Sequence, residues 1–199
     1  MKTIKTLALA IFILGIHFSQ VQAQSFTVKS YKLIVKGTSS LHEWESTVEK
    51  LEGKGSFVLA NNALSDVKDV VVRIPVKAIK SAKGKLMDNK TYDAFDAERN
   101  PEIIFTLTGK KVNLASKTLV ASGTLAMAGA TKPIDVTLTY KLLSGGELQL
   151  TGSKKLLMTD FKMEPPTAMM GTIKVRNEVV VTFEMVLTLN NTLSSQKLK

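Results

Sequence analysis

The residues able to do chemistry gather in one polar stretch, Gly37-Thr38-Ser39-Ser40-Leu41-His42-Glu43-Trp44-Glu45. Ser39, His42 and a carboxylate are the parts of a nucleophile, its base and an orienting acid, and such groups need not be neighbours in sequence. The stretch supplies neither a strained nucleophile turn nor oxyanion donors. A glycine-x-serine-x-glycine elbow, a glycine-rich phosphate loop and a zincin helix motif are all absent from the chain. Glu43 and Glu45 stand two apart, on one face of a strand, and read as a solvated rim rather than an acid/base pair. The chain has two histidines and no cysteine. That excludes a disulfide scaffold, a thiolate zinc site, an iron–sulfur cluster and a cysteine nucleophile, and leaves a histidine-carboxylate metal site short of imidazoles. His42 is the single candidate for catalysis, and neither metal nor cofactor is expected.

Around that stretch the chain is built from alternation. Over residues 178–189, Val179, Val181, Phe183, Met185, Leu187 and Leu189 hold one parity against Glu178, Thr182, Glu184 and Thr188, the pattern of a strand with one buried face. Val70, Val72, Ile74 and Val76 repeat it, as do Ile134, Val136, Leu138, Tyr140 and Leu142. Shorter versions cover residues 31–38, 102–112, 117–127 and 147–158, with turn signals at Asn61-Asn62, 113–117 and Ser144-Gly145-Gly146. Clean alternation marks antiparallel sheet. One segment, residues 84–99, has a helical pattern through Leu86, Met87, Tyr92, Ala94 and Phe95, and Asn100-Pro101 is expected to end it. The plan is all-β with one short helix between about eight strands, an up-and-down barrel or else a two-sheet sandwich. Eight tilted strands enclose a space that holds side chains or one small ligand. Leu33, Val35, Phe57, Phe105, Leu125, Met127, Tyr140, Met158, Phe161 and Phe183 fall on the inward parities and line that space, as cavity wall or as filled core.

The first residues form a separate unit. Lys2 and Lys5 precede an apolar run over residues 6–18 and the small-residue site Val21-Gln22-Ala23, which together predict a secretory signal peptide, residues 1–23. The run is too short to span a bilayer, which takes about 20 apolar residues. The domain is then 24–189, with a polar tail over 190–199. Setting aside residues 1–23, with two lysines and no acid, lowers the formal charge from +10 to +8. The lysines are scattered rather than gathered in a stripe, so no nucleic acid is expected, whereas peripheral contact with an anionic membrane surface is. The oligomeric state stays open, a homodimer included.

Four motifs, in order along residues 25–189, resemble the YceI-like family of secreted lipid-binding proteins. They are the threonine-serine, leucine-histidine, acid-tryptophan stretch around His42; Met87-Asp88 through Tyr92, Phe95, Asn100-Pro101 and Ile104-Phe105-Thr106; Gly129-Ala130-Thr131-Lys132-Pro133-Ile134; and Thr159-Asp160-Phe161-Lys162-Met163. The resemblance implies an extended, lipocalin-like antiparallel barrel whose apolar tunnel holds a polyisoprenoid, quinone or fatty chain. The family commonly places a histidine soon after the aspartate that begins the helix; here Asp88 is followed by Asn89, Lys90 and Thr91. His42, Trp44, Tyr92, Phe95 and Lys132 are the candidates for the mouth and headgroup, because aromatic side chains with polar tips suit a wet rim. The expected function is non-catalytic binding, with transport or storage, of such a lipid in the periplasm of a bacterium. The alternatives are a lipid-modifying enzyme using His42 and a filled-core sandwich that binds protein.

Overall fold

The computed structural model describes residues 23–60 and 63–190. The expected signal peptide apart from Ala23, the turn expected at Asn61-Asn62 and the expected tail apart from Asn190 lie outside them. Among the described residues the strands are β1 (Ala23–Ser39), β2 (Glu43–Val48), β3 (Glu52–Ala60), β4 (Ala63–Pro75), β5 (Ile79–Ser81), β6 (Glu102–Asn113), β7 (Thr118–Met127), β8 (Ala130–Leu142), β9 (Glu147–Leu157), β10 (Thr167–Ala168) and β11 (Ile173–Asn190), with one α-helix, α1 (Lys85–Phe95). Neighbours run β11-β9-β8-β7-β6-β4-β3-β1, and β11 pairs back onto β1, closing an eight-strand antiparallel barrel. β2 and β5 extend the sheet beyond β1, and β10 adds a short hairpin to β11. The sandwich alternative is thereby excluded. Among the described residues, no helix is long and apolar enough to cross a membrane.

Alternation fixes which face is inside. Leu33 lies opposite Phe183, Phe183 opposite Gly152, Gly152 opposite Leu138 and Leu138 opposite Leu119, one apolar row around the wall. The adjacent row, Ile34, Thr182 and Ser153, faces out. A register shift between Leu107 and Gly109 turns Lys110 inward, opposite the buried Ala121.

The helix differs from its sequence pattern. Leu86 is 72% exposed, and the buried residue is Asp88, which accepts a hydrogen bond from the Ser81 N–H at 2.7 Å. The end is set before Asn100-Pro101, by Asp96 in the left-handed region (φ 47°), where the Ala97 N–H donates to the Tyr92 carbonyl.

Three stretches of the wall lack a backbone ladder. Between β1 and β3, pairing covers only 23–25 against 56–58, and the Phe26 ring fills the space over Gly53 and Gly55. Between β4 and β6, pairing stops at Val71–Thr106, and an ion pair between Lys110 Nζ and Asp66 Oδ1 at 3.0 Å bridges the strands below. That hydrogen bond from Lys110 holds the Asp66 carboxyl below the usual range. Between β8 and β9, pairing runs from Leu142–Leu148 to Leu138–Gly152 and goes no further, although both strands continue.

Candidate functional site

The expected lining residues divide by height along the barrel. Phe57 and Tyr140 belong to a packed apolar end with Phe26, Leu64, Leu148 and Leu187. Leu125, Met127, Met158 and Phe161 form a second cluster at the other end, joined by Val35, Phe105 and, from α1, Phe95. Leu33 lies in a third, against which Val35 and Phe183 pack. Between the ends the burial changes: Val35, Ile103, Phe105, Val181, Phe183 and Met185 project inward yet remain only half-buried. A close-packed core would bury them as fully as Leu64 or Leu148, both 0% exposed. The barrel is therefore packed less tightly at its waist than at its ends.

Glycines make room for rings at that waist. A Cβ built on Gly152 would lie 2.6 Å from Phe183 Cζ, and one on Gly123 would lie 2.5 Å from Phe105 Cζ. Each phenyl ring occupies space over a neighbouring strand's glycine that a side chain there would fill. Trp44 does the same on Gly37, with Cζ2 2.4 Å from the position a Cβ would take. Its indole packs into the second cluster, and Nε1 is buried with no hydrogen-bond partner among the described residues. An orphaned donor in an apolar interior is costly unless something accepts its hydrogen bond.

The five residues expected at the mouth are dispersed. Trp44 and Phe95 meet in the second cluster. His42 is exposed on the β1–β2 turn, where its Nδ1 donates to the Glu43 carbonyl at 2.8 Å. Ser39 Oγ is occupied with the backbone of the same turn, accepting from the His42 N–H at 3.1 Å and donating to its carbonyl at 2.9 Å, so hydroxyl and imidazole do not form a nucleophile–base pair. Tyr92 pins α1 to β5: its hydroxyl donates to the Lys77 carbonyl at 3.0 Å and accepts from Lys80 Nζ at 2.7 Å, which raises the Lys80 pKa. Lys132 is exposed on β8.

Lys132 stands on one lip of the unpaired β8–β9 stretch. A cleft of about 720 Å³ opens there, lined by Lys132, Pro133, Ile134 and Asp135 of β8, 154–157 of β9, and Asp160, Phe161 and Glu178. Parity sorts this lining. Lys132 is opposite Leu125 and Lys154 opposite Val181, so both lysines leave their strands on the inner face, with Ile134 and Leu156. Asp135, opposite Ser122, faces out, as does Glu178, which pairs with Lys155 at 3.1 Å. Lys132 and Lys154 make no ion pair or side-chain hydrogen bond among the described residues. Lys154 escaped the sequence reading because Ser153-Lys154-Lys155 carries no apolar alternation; only its partner Val181 reveals its side.

The YceI-like domain family model matches residues 19–187. No curated protein sequence matches the chain. Among solved structures the chain is similar to the Burkholderia cenocepacia protein BcnA, with a TM-score of 0.65 and 16% identity over 78% of this chain and 95% of that one. It is also similar to a polyisoprenoid binding domain from Saccharophagus degradans implicated in plant cell wall breakdown, with a TM-score of 0.61 and 14% identity over 83% and 99% of the two chains. A third likeness is to the YceI protein of Campylobacter jejuni, with a TM-score of 0.55 and 16% identity over 94% and 99%.

Proposed function

The chain belongs to the YceI-like domain family, and from that premise we propose that it is a non-catalytic carrier holding a polyisoprenoid or similar long-chain lipid in its barrel. The observation that carries this reading is the half-buried apolar waist of Val35, Ile103, Phe105, Val181, Phe183 and Met185 inside a closed wall. Moving a hydrocarbon chain from water onto such surface is favourable by about 25 cal/mol per Å². Few polar contacts are then needed. Trp44 Nε1 supplies one, an unmatched donor suited to a ligand oxygen. The polyisoprenoid binding by the Saccharophagus degradans domain, a relative in fold, supports the same ligand class.

The test is native mass spectrometry of the protein before and after exposure to prenyl lipids. A hydrophobic adduct of one lipid per chain is expected; protein that stays bare at saturating lipid overturns the carrier reading. Export through residues 1–23 is part of the proposal, and the N-terminus of mature protein should be Gln24. Mature protein that still begins at Met1 would remove it.

A further inference from the structure

We propose that the β10–β11 hairpin, with the β1–β2 turn beside it, is a membrane-docking tip that sets one end of the barrel against an anionic phospholipid surface. The inference builds on the carrier reading and adds the surface from which a lipid would be loaded. The hairpin connection is closed by a hydrogen bond from the Gly171 N–H to the Ala168 carbonyl at 3.1 Å. Both central residues, Met169 and Met170, have left-handed backbones, with φ 50° and 57°. Such a turn ordinarily takes Asn-Gly, because most side chains are strained at positive φ. Here two long apolar side chains occupy it, 73% and 106% exposed. The fold gains neither backbone relaxation nor burial from them, and an apolar contact outside the chain accounts for both costs.

A second apolar tip lies alongside. Leu41 is 66% exposed on the β1–β2 turn, and Ser39 Oγ fixes that turn by accepting from the Leu41 N–H at 3.2 Å as well as from the His42 N–H. Two hydrogen bonds join this turn to the base of the hairpin. The Ser40 N–H donates to the Lys174 carbonyl at 2.9 Å, and the Lys174 N–H donates to Ser40 Oγ at 3.1 Å; Lys174 is itself opposite Thr167 of β10. Leu41, Met169 and Met170, three of the six large apolar side chains exposed among the described residues, therefore stand at one end of the barrel. The second cluster lies at that end, joined by Val175 of β11 and Trp44 of β2. Charge points to the occupant. Residues 165–176 contain Lys174 and Arg176 and no acid, and both cations are exposed without an ion pair among the described residues. Of the flanking acids Glu43, Glu164 and Glu178, the last is paired with Lys155. Cations beside apolar tips suit an interfacial anchor, whose apolar groups enter the headgroup boundary while its cations meet lipid phosphates. A protein partner would need a matching surface of about 800 Å² per side, whereas a fluid bilayer closes around a projecting turn, and flexible methionines adapt to it. Charge draws the barrel in and the tips orient it; three side chains are too little area to hold it once salt screens the charge.

The test gives the turn the residues its backbone prefers. The double variant Met169→Asn, Met170→Gly should keep or raise the urea midpoint and form the same prenyl-lipid adducts in native mass spectra. Its association with phosphatidylcholine–phosphatidylglycerol vesicles at low salt should weaken by at least about fivefold. Because the chain has no cysteine, Leu41→Cys and Leu114→Cys each give a single site for an environment-sensitive fluorophore. The first lies at the tip and the second on the β6–β7 turn, at the barrel end packed by Leu119 and Tyr140. The label at 41 should shift to the blue on adding vesicles, and the label at 114 should not. Unaltered vesicle affinity in the double variant, or equal shifts of the two labels, overturns the docking tip. Concentration-dependent dimers of the wild type that the double variant abolishes overturn it in favour of contact with a second copy of the chain. Wild-type protein that ignores the vesicles yet captures prenyl lipid overturns the tip and leaves the carrier reading standing. Wild-type protein that docks through the tip but never takes up prenyl lipid overturns the carrier reading alone.

Discussion

Trp44 and His42 lie two residues apart on β2 and its turn, yet their surroundings assign them opposite parts. Trp44 faces the interior with a buried, unmatched Nε1, while His42 is exposed with its ring bonded to the backbone. Trp44→Phe removes the orphaned donor and keeps most of the ring. The ligand-free variant should be as stable as wild type or about 1 kcal/mol more so, read from urea midpoints, and should bind an oxygen-bearing lipid more weakly. Loss of stability without loss of affinity would mean that the indole serves packing alone. His42→Ala should leave prenyl-lipid binding within about twofold of wild type; a larger loss would put the imidazole in the binding site. The sequence marked both residues as candidates. It did not separate them, because two positions two apart on a strand share a face only while the strand lasts, and His42 precedes the first residue of β2.

At the scale of elements, the strands with continuous apolar alternation, β4, β8 and β11, were legible, and β2 and β3 were not. In β2 the inward positions are Trp44, Ser46 and Val48, with Ser46 only 4% exposed; in β3 they include Gly53 and Gly55. A buried serine and two glycines break the pattern without breaking the strand. Alternation also says which face a residue takes but not which strands pair, so the β8–β9 cleft had no sequence signal. The glycine–aromatic pairs carry a prediction of their own. Gly152→Ala should cost about 1–3 kcal/mol, because the new methyl meets Phe183 Cζ at 2.6 Å. A displaced Phe183 ring enters the lumen, so the longest prenyl chain accepted should shorten, and Phe183→Leu should restore both properties; an unchanged chain-length limit would count against the loosely packed waist as the ligand's place. The Lys110–Asp66 bridge predicts a pH dependence. Since the Asp66 pKa is lowered on folding, the pair stabilises the fold above the ordinary carboxylate pKa of about 4, and that share is lost as pH falls through the lowered value. Lys110→Met should therefore destabilise the protein by less than about 1 kcal/mol near neutrality, with the difference from wild type shrinking as the pH falls below the ordinary carboxylate range. A gap that stays constant on acidification would show that Lys110 acts through packing instead.

On the scale of the whole molecule, the formal charge is +10, or +8 without residues 1–23, and its lysines are scattered along the chain. Distributed positive charge of this kind attracts anionic bilayers over about one Debye length. The protein should associate with vesicles containing an anionic phospholipid at low ionic strength and release as salt approaches about 0.5 M. Binding that resists salt, seen by sedimentation, would point to inserted apolar groups rather than charge. Closure depends on the two ends of the chain. β11 pairs with β1 from Ser25–Asn190 to Ser39–Val175, so one side of the first strand of the wall finds its partner only in the last. During synthesis the N-terminal strand waits, edge exposed, until the final strand has been made, and nothing short of the whole domain can complete the wall. Closure of the barrel thus waits until β11 has been made, which would keep the chain open for the export proposed above for residues 1–23.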